Sequence, residues 1–365
     1  MSENVNTNRR RREAGASSKA KKKKFITRII SGVLAVLFLV TGSVFIVIGM
    51  TVNDYTNYES TAGKNTNPTS ASGTNDDMTF EDITVDIYSD DLLNDPYVLN
   101  IMLFGTDNGD ALSDTMILLS IDNRHQKIKM TSFLRDTYVS IPGYYPHKLN
   151  LAYALGGAPL SIQTIEQNYG VKIDRYAKVT FNTFKEIIDI MGGVEVELTA
   201  DEIGYINGQV MDNGQSYDNY ITEGPGMVTL NGQQALWYAR NRGGTYGGVT
   251  YYGDDWDRTT RQRNFLNAVI EQMKDASLTE IVSIVNAVGP NITTDIKKTE
   301  ITMLLQNALT FLNYDVEQAK MPSDGTWSYG FNEAGSVILV DDWYGARYDL
   351  ATFIYEDSVV SSPAN

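Results

Sequence analysis

Beyond residue 28 the chain carries nine arginines, and five of them, Arg240, Arg242, Arg258, Arg261 and Arg263, lie between Trp237 and Phe265. In a chain of formal net charge −15, such crowding is a poor way to solvate a surface. It is a good way to bind a polyanion, because a guanidinium offers its donors in a fixed fork that matches phosphate oxygens. The second half of the stretch reads as a helix with Asp255 or Asp257 as N-cap. At about 100° per residue, Arg258 and Gln262 fall inside the stripe of Phe265, Leu266, Val269 and Met273, Arg261 falls on its border and Arg263 turns outward. Cations in a first helical turn oppose the helix dipole unless an anion sits with them. The competing arrangement is a scaffold in which these arginines pair with Asp254, Asp255 and Asp257.

A second set of residues is acidic. Asp107, Asp110 and Asp114 lie in a loop between two apolar runs, and Arg135-Asp136 closes a third run. Carboxylates at strand ends are where layered α/β proteins place chemistry. Asp107 and Asp114 are spaced to converge on a hard cation that takes oxygen ligands, Mg²⁺ first and Mn²⁺ as a substitute. Taken alone, the loop reads first as solvated acids, and the metal signal in it is weak. The chain has no cysteine and two histidines, His125 and His147. Disulfides, thiolate nucleophiles, zinc–thiolate sites and histidine-rich metal sites are thereby excluded.

The elements that must position these groups follow from periodicity. Residues 98–104, 115–121 and 127–134 are apolar on both faces, as interior strands of a covered sheet are. Helices are predicted over 148–155 and 159–169, separated by Gly156-Gly157, and over 182–191 with Asn182 as cap. Strands are predicted over 175–181 and 194–198, and a short helix over 233–238 delivers Arg240 and Arg242. The glycine- and tyrosine-rich stretch 243–253 reads as a mobile lid, a sugar-stacking loop or a plain excursion. Helices over 278–288, 298–313 and 343–355 and strands over 316–321 and 336–340 complete the same domain. The fold expected is a layered α-β-α domain around a central mixed sheet.

Charge divides sharply along the chain. Residues 1–28 hold ten Lys/Arg against Glu3 and Glu13, a net +8, which leaves −23 on the rest of a chain whose total is −15. Residues 29–50 are uncharged and apolar, a helix of about 33 Å against a hydrocarbon core of about 30 Å. The run is too long for a signal-peptide core and no small-x-small cleavage site follows, so it reads as an uncleaved anchor. The basic flank then places residues 1–28 in the cytoplasm and the domain outside. Residues 51–82 read as a flexible tether and 83–360 as the catalytic domain, with its motif core over 97–275. A cysteine-free exterior domain suits a Gram-positive cell.

Between about Asn100 and Asn267 the sequence resembles the LytR-CpsA-Psr (LCP) family of the bacterial cell envelope. The matching pieces are Asn100-Ile-Met-Leu-Phe-Gly-Thr-Asp107, Ser113-Asp-Thr-Met116, Ser132-Phe-Leu-Arg-Asp-Thr-Tyr-Val139, Lys148-Leu-Asn-Leu-Ala-Tyr153 with Gly156-Gly157, Gly192-Gly-Val194, Leu230-Asn-Gly-Gln-Gln-Ala-Leu236, Tyr238-Ala-Arg-Asn-Arg242 and Asp255-Trp-Asp-Arg258 with Arg261-Gln262. Each is loose, but together, in this order, they are specific. The resemblance implies a membrane-anchored phosphotransferase that moves a glycopolymer, such as a teichoic acid or a capsular polysaccharide, from a polyprenyl-pyrophosphate carrier to a peptidoglycan hydroxyl, with Mg²⁺ and without nucleic acid as partner. Carried over by position, Asp107 and Asp114 are implied at the metal, and Arg135, Arg240, Arg242, Arg258 and Gln262 at the pyrophosphate. Lys148 and Arg261 stand behind them, and Asp255 orients the arginines. Asp107, Arg135 and Arg258 are the implied catalytic set, with Asp107 as base, and the isoprenoid tail is implied to enter an apolar slot between the sheet and its covering helices. Leu134 stands where the family usually has proline, the loop before Ser113 is short and lacks a basic residue, and Trp256-Asp257 replaces a common Phe-Gly. Two other readings use the same pocket: a polyprenyl-pyrophosphate hydrolase, and a module that binds a lipid-linked glycopolymer without reacting. A nucleic-acid regulator is disfavoured, because the basic tail contains no recognition fold.

Overall fold

The structure, a computed structural model, describes residues 85–86, 91–109, 111–274, 286–287 and 289–360. The anchor and tether expected over 1–82, Asp110 and most of the helix expected over 278–288 lie outside the described residues. Among the described residues no helix is long and apolar enough to cross a membrane.

In chain order the strands are β1 (Val85–Asp86), β2 (Val98–Thr106), β3 (Ser113–Asp122), β4 (Lys127–Phe133), β5 (Tyr138–Val139), β6 (His147–Lys148), β7 (Arg175–Thr180), β8 (Val194–Leu198), β9 (Gly226–Leu230), β10 (Gly244–Tyr246), β11 (Val249–Tyr251), β12 (Thr293–Thr294), β13 (Asp315–Met321), β14 (Trp327–Asn332), β15 (Gly335–Val340) and β16 (Val359–Val360). The helices are α1 (Leu149–Tyr169), α2 (Phe181–Ile190), α3 (Ala200–Asp212), α4 (Gly232–Arg240), α5 (Asp255–Met273), α6 (Lys298–Gln306), α7 (Ala308–Phe311) and α8 (Trp343–Tyr355).

Six strands form the central sheet in the order β12-β7-β2-β3-β4-β13. β7 runs parallel to β2 and β13 parallel to β4, while β3 is antiparallel to both β2 and β4, so the sheet is mixed. Strands β2, β4, β7 and β13 therefore point the same way, and their carboxyl ends share one edge with the start of β3. Alternation explains why the central strands read as apolar throughout. Ile101, Ile117, Leu119, Ile128 and Met130 face one core with Ile187 of α2, Ile206 of α3, Ala235 of α4 and Val269 of α5. Met102, Phe104, Met116, Leu118 and Phe133 face the other, with Leu149 and Ile165 of α1 and Leu350 and Ile354 of α8. Helices thus cover both faces, and the C-terminal third supplies β13 and α8 to the same body.

The break expected in α1 is present: Gly157 has φ +63° and Gly156 leaves helical geometry. Three local expectations are corrected. Helix α5 is capped by Asp254, whose side chain accepts from the Asp257 amide while the Asp257 side chain accepts from the Asp254 amide. Helix α2 is capped by Thr180 rather than Asn182, so the last residue of β7 doubles as the cap. Residues 243–253 form the β10–β11 hairpin, with Gly247 and Gly248 both at positive φ in the turn, as a two-residue hairpin requires. Tyr246 and Tyr251 meet the ring of Tyr205 on α3 edge-on, at 5.0 and 6.1 Å between centroids, so the stretch is packed rather than a free excursion.

Helix α4 carries Arg240 and begins hard against α2. The Gly232 amide donates to Asp189 Oδ1 at 2.7 Å, and a Cβ at this position would overlap the Lys185 carbonyl. Gly232→Ala is expected to lower stability by about 1–3 kcal/mol, the usual cost of overpacking, because backbone and not a flexible side chain must move. An unshifted denaturant midpoint would show that the two helices separate freely.

Candidate active site

The carboxyl edge of the sheet gathers charge from four separate stretches. Arg135 follows β4 and is fixed by a turn in which Thr137 donates through both its amide, at 3.1 Å, and its hydroxyl, at 2.7 Å, to the Leu134 carbonyl. Helix α1 has no side-chain cap. Its first amides instead take the carbonyls of Thr137 (2.8 Å) and Arg135 (3.1 Å), which locks the corner to the helix. Asp114 is the second residue of β3, Lys148 precedes α1, and Asp255 and Arg258 form the first turn of α5.

These groups meet directly. Arg135 Nη1 lies 2.6 Å from Asp114 Oδ1, and its Nε lies 3.5 Å from both Asp136 Oδ2 and Asp255 Oδ1. Arg258 Nη2 is 2.9 Å from Asp255 Oδ1 and donates to the Asp114 carbonyl at 3.1 Å, while its Nη1 is 3.7 Å from Asp114 Oδ1. Arg242 Nη1 approaches Asp255 Oδ1 at 3.8 Å, and Lys148 Nζ is 3.0 Å from Asp136 Oδ1. Four cations thus face three carboxylates.

Arg258 is 2% exposed. Burial depresses its pKa to about 10, with Arg135 and Arg242 adding to the shift and Asp255 opposing it. Burial likewise raises the Asp255 carboxyl, against the pull of Arg258 and Arg135. A well-matched ion pair would move both the other way, so desolvation outweighs the pairing here. Arg135 behaves differently: burial lowers its pKa, but Asp255, Asp136 and Asp114 together raise it. Among the described residues, Nε of Arg135 and Nε of Arg258 are buried without a hydrogen-bond partner. A further anion would satisfy both the missing negative charge and these donors.

Other expected residues take different positions. Arg240 is exposed and lies over the Phe181 ring, 4.4 Å from its centroid. Arg261 turns away from the cluster, pairing with Glu202 Oε1 at 2.9 Å and donating to the Asn241 carbonyl at 3.0 Å. Gln262 donates to the Ala239 carbonyl at 3.3 Å. Both therefore hold the segment that carries Arg240 and Arg242. Arg263, expected to face outward, is 7% exposed, and burial lowers its pKa. The cause is that α5 packs against α4, β8 and β4 together, which widens its buried arc beyond a single stripe. Asp107 follows β2 beside Asp114, since Thr106 pairs with Ser113, and its Oδ1 accepts from the Ala111 amide at 3.1 Å. Asp136, read in the sequence only as a strand-end carboxylate, is the shared partner of Arg135 and Lys148, and Phe181 beneath Arg240 went unread. Asp136 is signalled by its place beside Arg135 at a strand end, whereas nothing in the sequence points to Phe181.

A mixed α/β sandwich that sets four cations against three carboxylates at the carboxyl edge of its sheet has the chemistry to take a phosphate group. The LytR_cpsA_psr family matches residues 53–338, and the chain belongs to this family. The polyisoprenyl-teichoic acid–peptidoglycan teichoic acid transferase TagU of Oceanobacillus iheyensis is 33% identical over 246 residues, covering 63% of this chain and 70% of TagU. The TagU of Enterococcus faecalis is 29% identical over 325 residues, covering 86% of this chain and 91% of its own. Among solved structures, Bacillus subtilis TagV has a TM-score of 0.54 at 26% identity, over 70% of this chain and 97% of TagV. The YwtF (TagT) structure with bound octaprenyl pyrophosphate lipid has a TM-score of 0.54 at 19% identity, over 75% of this chain and 97% of that one, which speaks for the fold.

Proposed function

We propose that this chain is a membrane-anchored phosphotransferase that moves a glycopolymer, in the first place a teichoic acid, from a polyprenyl-pyrophosphate carrier to a peptidoglycan hydroxyl. The observation that carries the proposal is the Arg135–Arg258 pair, each with an Nε buried without a hydrogen bond, set among four cations that face three carboxylates. The relatives named as transferases supply the reaction class. In the reaction, an acceptor hydroxyl oxygen bonds to the phosphorus that bears the polymer, the pyrophosphate P–O bond breaks, and polyprenyl phosphate leaves with the bond's electron pair. Arg135 and Arg258 neutralise the charge that develops on the leaving phosphate, and Arg242 and Lys148 hold the remaining oxygens. Asp107 stands at the open edge to position the alcohol and take its proton. Leu103, Val179, Phe184 and Leu266, partly buried against the first core, form an apolar wall suited to the isoprenoid tail.

Asp107 and Asp114 fit a hard divalent cation, Mg²⁺ or Mn²⁺: both offer oxygen, and the contacts above use only Oδ1 of each. Bound there, the ion would supply charge neutralisation at the phosphoryl oxygens. Asp107→Ala and Asp114→Ala are each expected to lower transfer by a factor on the order of 10² and to flatten its Mg²⁺ dependence. An unchanged metal response in both would remove the ion from this edge. Incubating the full chain with a labelled polyprenyl-pyrophosphate oligosaccharide, with and without peptidoglycan oligomers, tests the reaction itself. Release of free oligosaccharide phosphate at equal rates in both would identify a hydrolase instead.

The proposal places the N-terminus in the cytoplasm and the domain outside, on the charge asymmetry around residues 29–50. Protease added to intact protoplasts is expected to digest the domain and spare residues 1–28. Protection of the domain would reverse the orientation.

A further inference from the structure

Strand β14 carries three aromatic residues at alternate positions, Trp327, Tyr329 and Phe331, which therefore leave one face of the strand at Cα spacings of about 6.8 Å, the Trp327 and Tyr329 rings meeting edge-on at 5.0 Å between centroids. Exposure grows along the row: Trp327 is half-buried, Tyr329 is 64% exposed and Phe331 is 86% exposed. The inner end is rigid. Trp256 stacks on Trp327 at 4.6 Å and 29°, donates from Nε1 to the Tyr329 hydroxyl at 2.7 Å, and has Lys320 Nζ 4.2 Å from its ring centroid. Trp256 directly follows Asp255, which touches Arg135, Arg242 and Arg258. The hairpin is also fastened to the other side of the charged cluster. The Ile338 amide donates to the Asp136 carbonyl at 3.0 Å, and the Tyr138 hydroxyl donates to Glu333 at 3.0 Å. A row of exposed rings thus leads outward from the anion site on a fixed support.

We propose that this row is a glycan shelf, and that it seats the acceptor, a β-1,4-linked N-acetylhexosamine strand, with a hydroxyl directed at the anion site. The assignment of the bound glycan as acceptor rests on the phosphotransferase reading. A pyranose presents polarised C–H groups on its face and hydroxyls at its rim, and flat aromatic faces with negative quadrupoles complement the former. A row of rings suits a polymer better than a single sugar. Charge selects among polymers: Glu333, Asp341 and Asp342 are exposed around the hairpin and its foot, while Asp324 is paired with Lys320 at 2.8 Å, and the acidic excess repels a polyanionic chain. The same acids disfavour seating on an anionic bilayer, where a basic rim would be expected. An uncharged amino-sugar strand meets neither penalty.

The test uses the full chain in nanodiscs and a hexamer of β-1,4-linked N-acetylglucosamine, titrated by tryptophan fluorescence and calorimetry. The wild type is expected to bind it. Tyr329→Ala and Phe331→Ala are each expected to weaken binding about tenfold, the loss of one ring contact, with affinity for octaprenyl pyrophosphate unchanged. Both positions are exposed, so the fold is retained. Absent hexamer binding, or binding indifferent to both substitutions, overturns the shelf. Quenching of Trp327 by brominated lipid, lost in Trp327→Phe, also overturns it by showing a membrane-facing surface. Failure of the phosphotransferase reading is distinguishable: it appears as no polymer transfer by the wild type, with hexamer binding and its loss in the two variants intact.

Discussion

Arg258→Met is expected to lower transfer by a factor on the order of 10²–10³, the size of losing one preorganised oxyanion donor, while leaving the ligand-free domain as stable as the wild type or slightly more so. Methionine keeps most of the buried stem and deletes the charge. In the native fold that charge is unfavourable: burial, with Arg135 and Arg242 alongside, holds the guanidinium pKa at about 10 although Asp255 lies 2.9 Å away. Removing it costs Asp255 a partner, but Arg135 at 3.5 Å and Arg242 at 3.8 Å remain to compensate it. A purely structural ion pair makes the opposite forecast, since breaking a buried pair by deleting one member costs about 3–5 kcal/mol. Thermal melts and transfer assays on the same preparation separate the two. A large loss of stability with transfer intact in the folded fraction would make Arg258 scaffold.

Which of these groups the sequence reveals depends on how far apart the partners lie. The central strands are legible because residues apolar at every position admit few other interpretations, and Asp114 and Arg135 are legible because they sit at the ends of such strands. Arg258 draws notice through crowding, yet its bond to the Asp114 carbonyl spans 144 residues and no local pattern contains it. Arg261 and Arg263 are harder. On a helix wheel Arg261 borders the apolar stripe and Arg263 turns outward, and only the packing partners decide where each ends: Glu202 of α3 draws Arg261 aside, and Arg263 is buried on a helix that packs against α4, β4 and β8. Strand β14 escapes notice because it is short and has Gly330 in its interior, where glycine weakens a strand signal. The structure gives the reason for that glycine, since a Cβ there would run into the Leu339 side chain across the hairpin. The β10–β11 hairpin escapes for a related reason: glycine-rich sequence looks free until its tyrosines find Tyr205.

The largest stability effect is expected far from the anion site, at Lys129. This lysine is 0% exposed, near the start of β4, six residues before Arg135 and hence about 20 Å from it along the strand. Its Nζ lies 2.8 Å from Asp122 Oδ2, 2.8 Å from Glu356 Oε1 and 2.7 Å from the Ile354 carbonyl. Asp122, His125 and Glu356 have the spacing of a metal site, with ligand atoms within 4.8 Å of one another, but the ammonium already stands between the two carboxylates as their cation. Lys129→Met leaves Asp122 buried with the His125 ring as its remaining side-chain partner, and the expected loss is about 3–5 kcal/mol. The pH dependence carries the sign. Burial pushes the Asp122 and Glu356 carboxyls up, but Lys129 and His125 at the first, and Lys127 and Lys129 at the second, hold both below their ordinary values of 3.8 and 4.5. Their stabilisation is therefore present above those values and lost as pH falls through the lower folded ones. Without Lys129 the Asp122 carboxyl rises, so the variant is expected to lie furthest below the wild type near neutrality and to close the gap on acidification toward pH 4. Adding Asp122→Asn to Lys129→Met should recover part of the loss by removing the uncompensated charge. Transfer per folded molecule should stay unchanged, because the cluster lies at the opposite edge of the sheet. A single variant as stable as the wild type at pH 7, or a gap that widens in acid, would mean that the ammonium does not hold these carboxylates ionised.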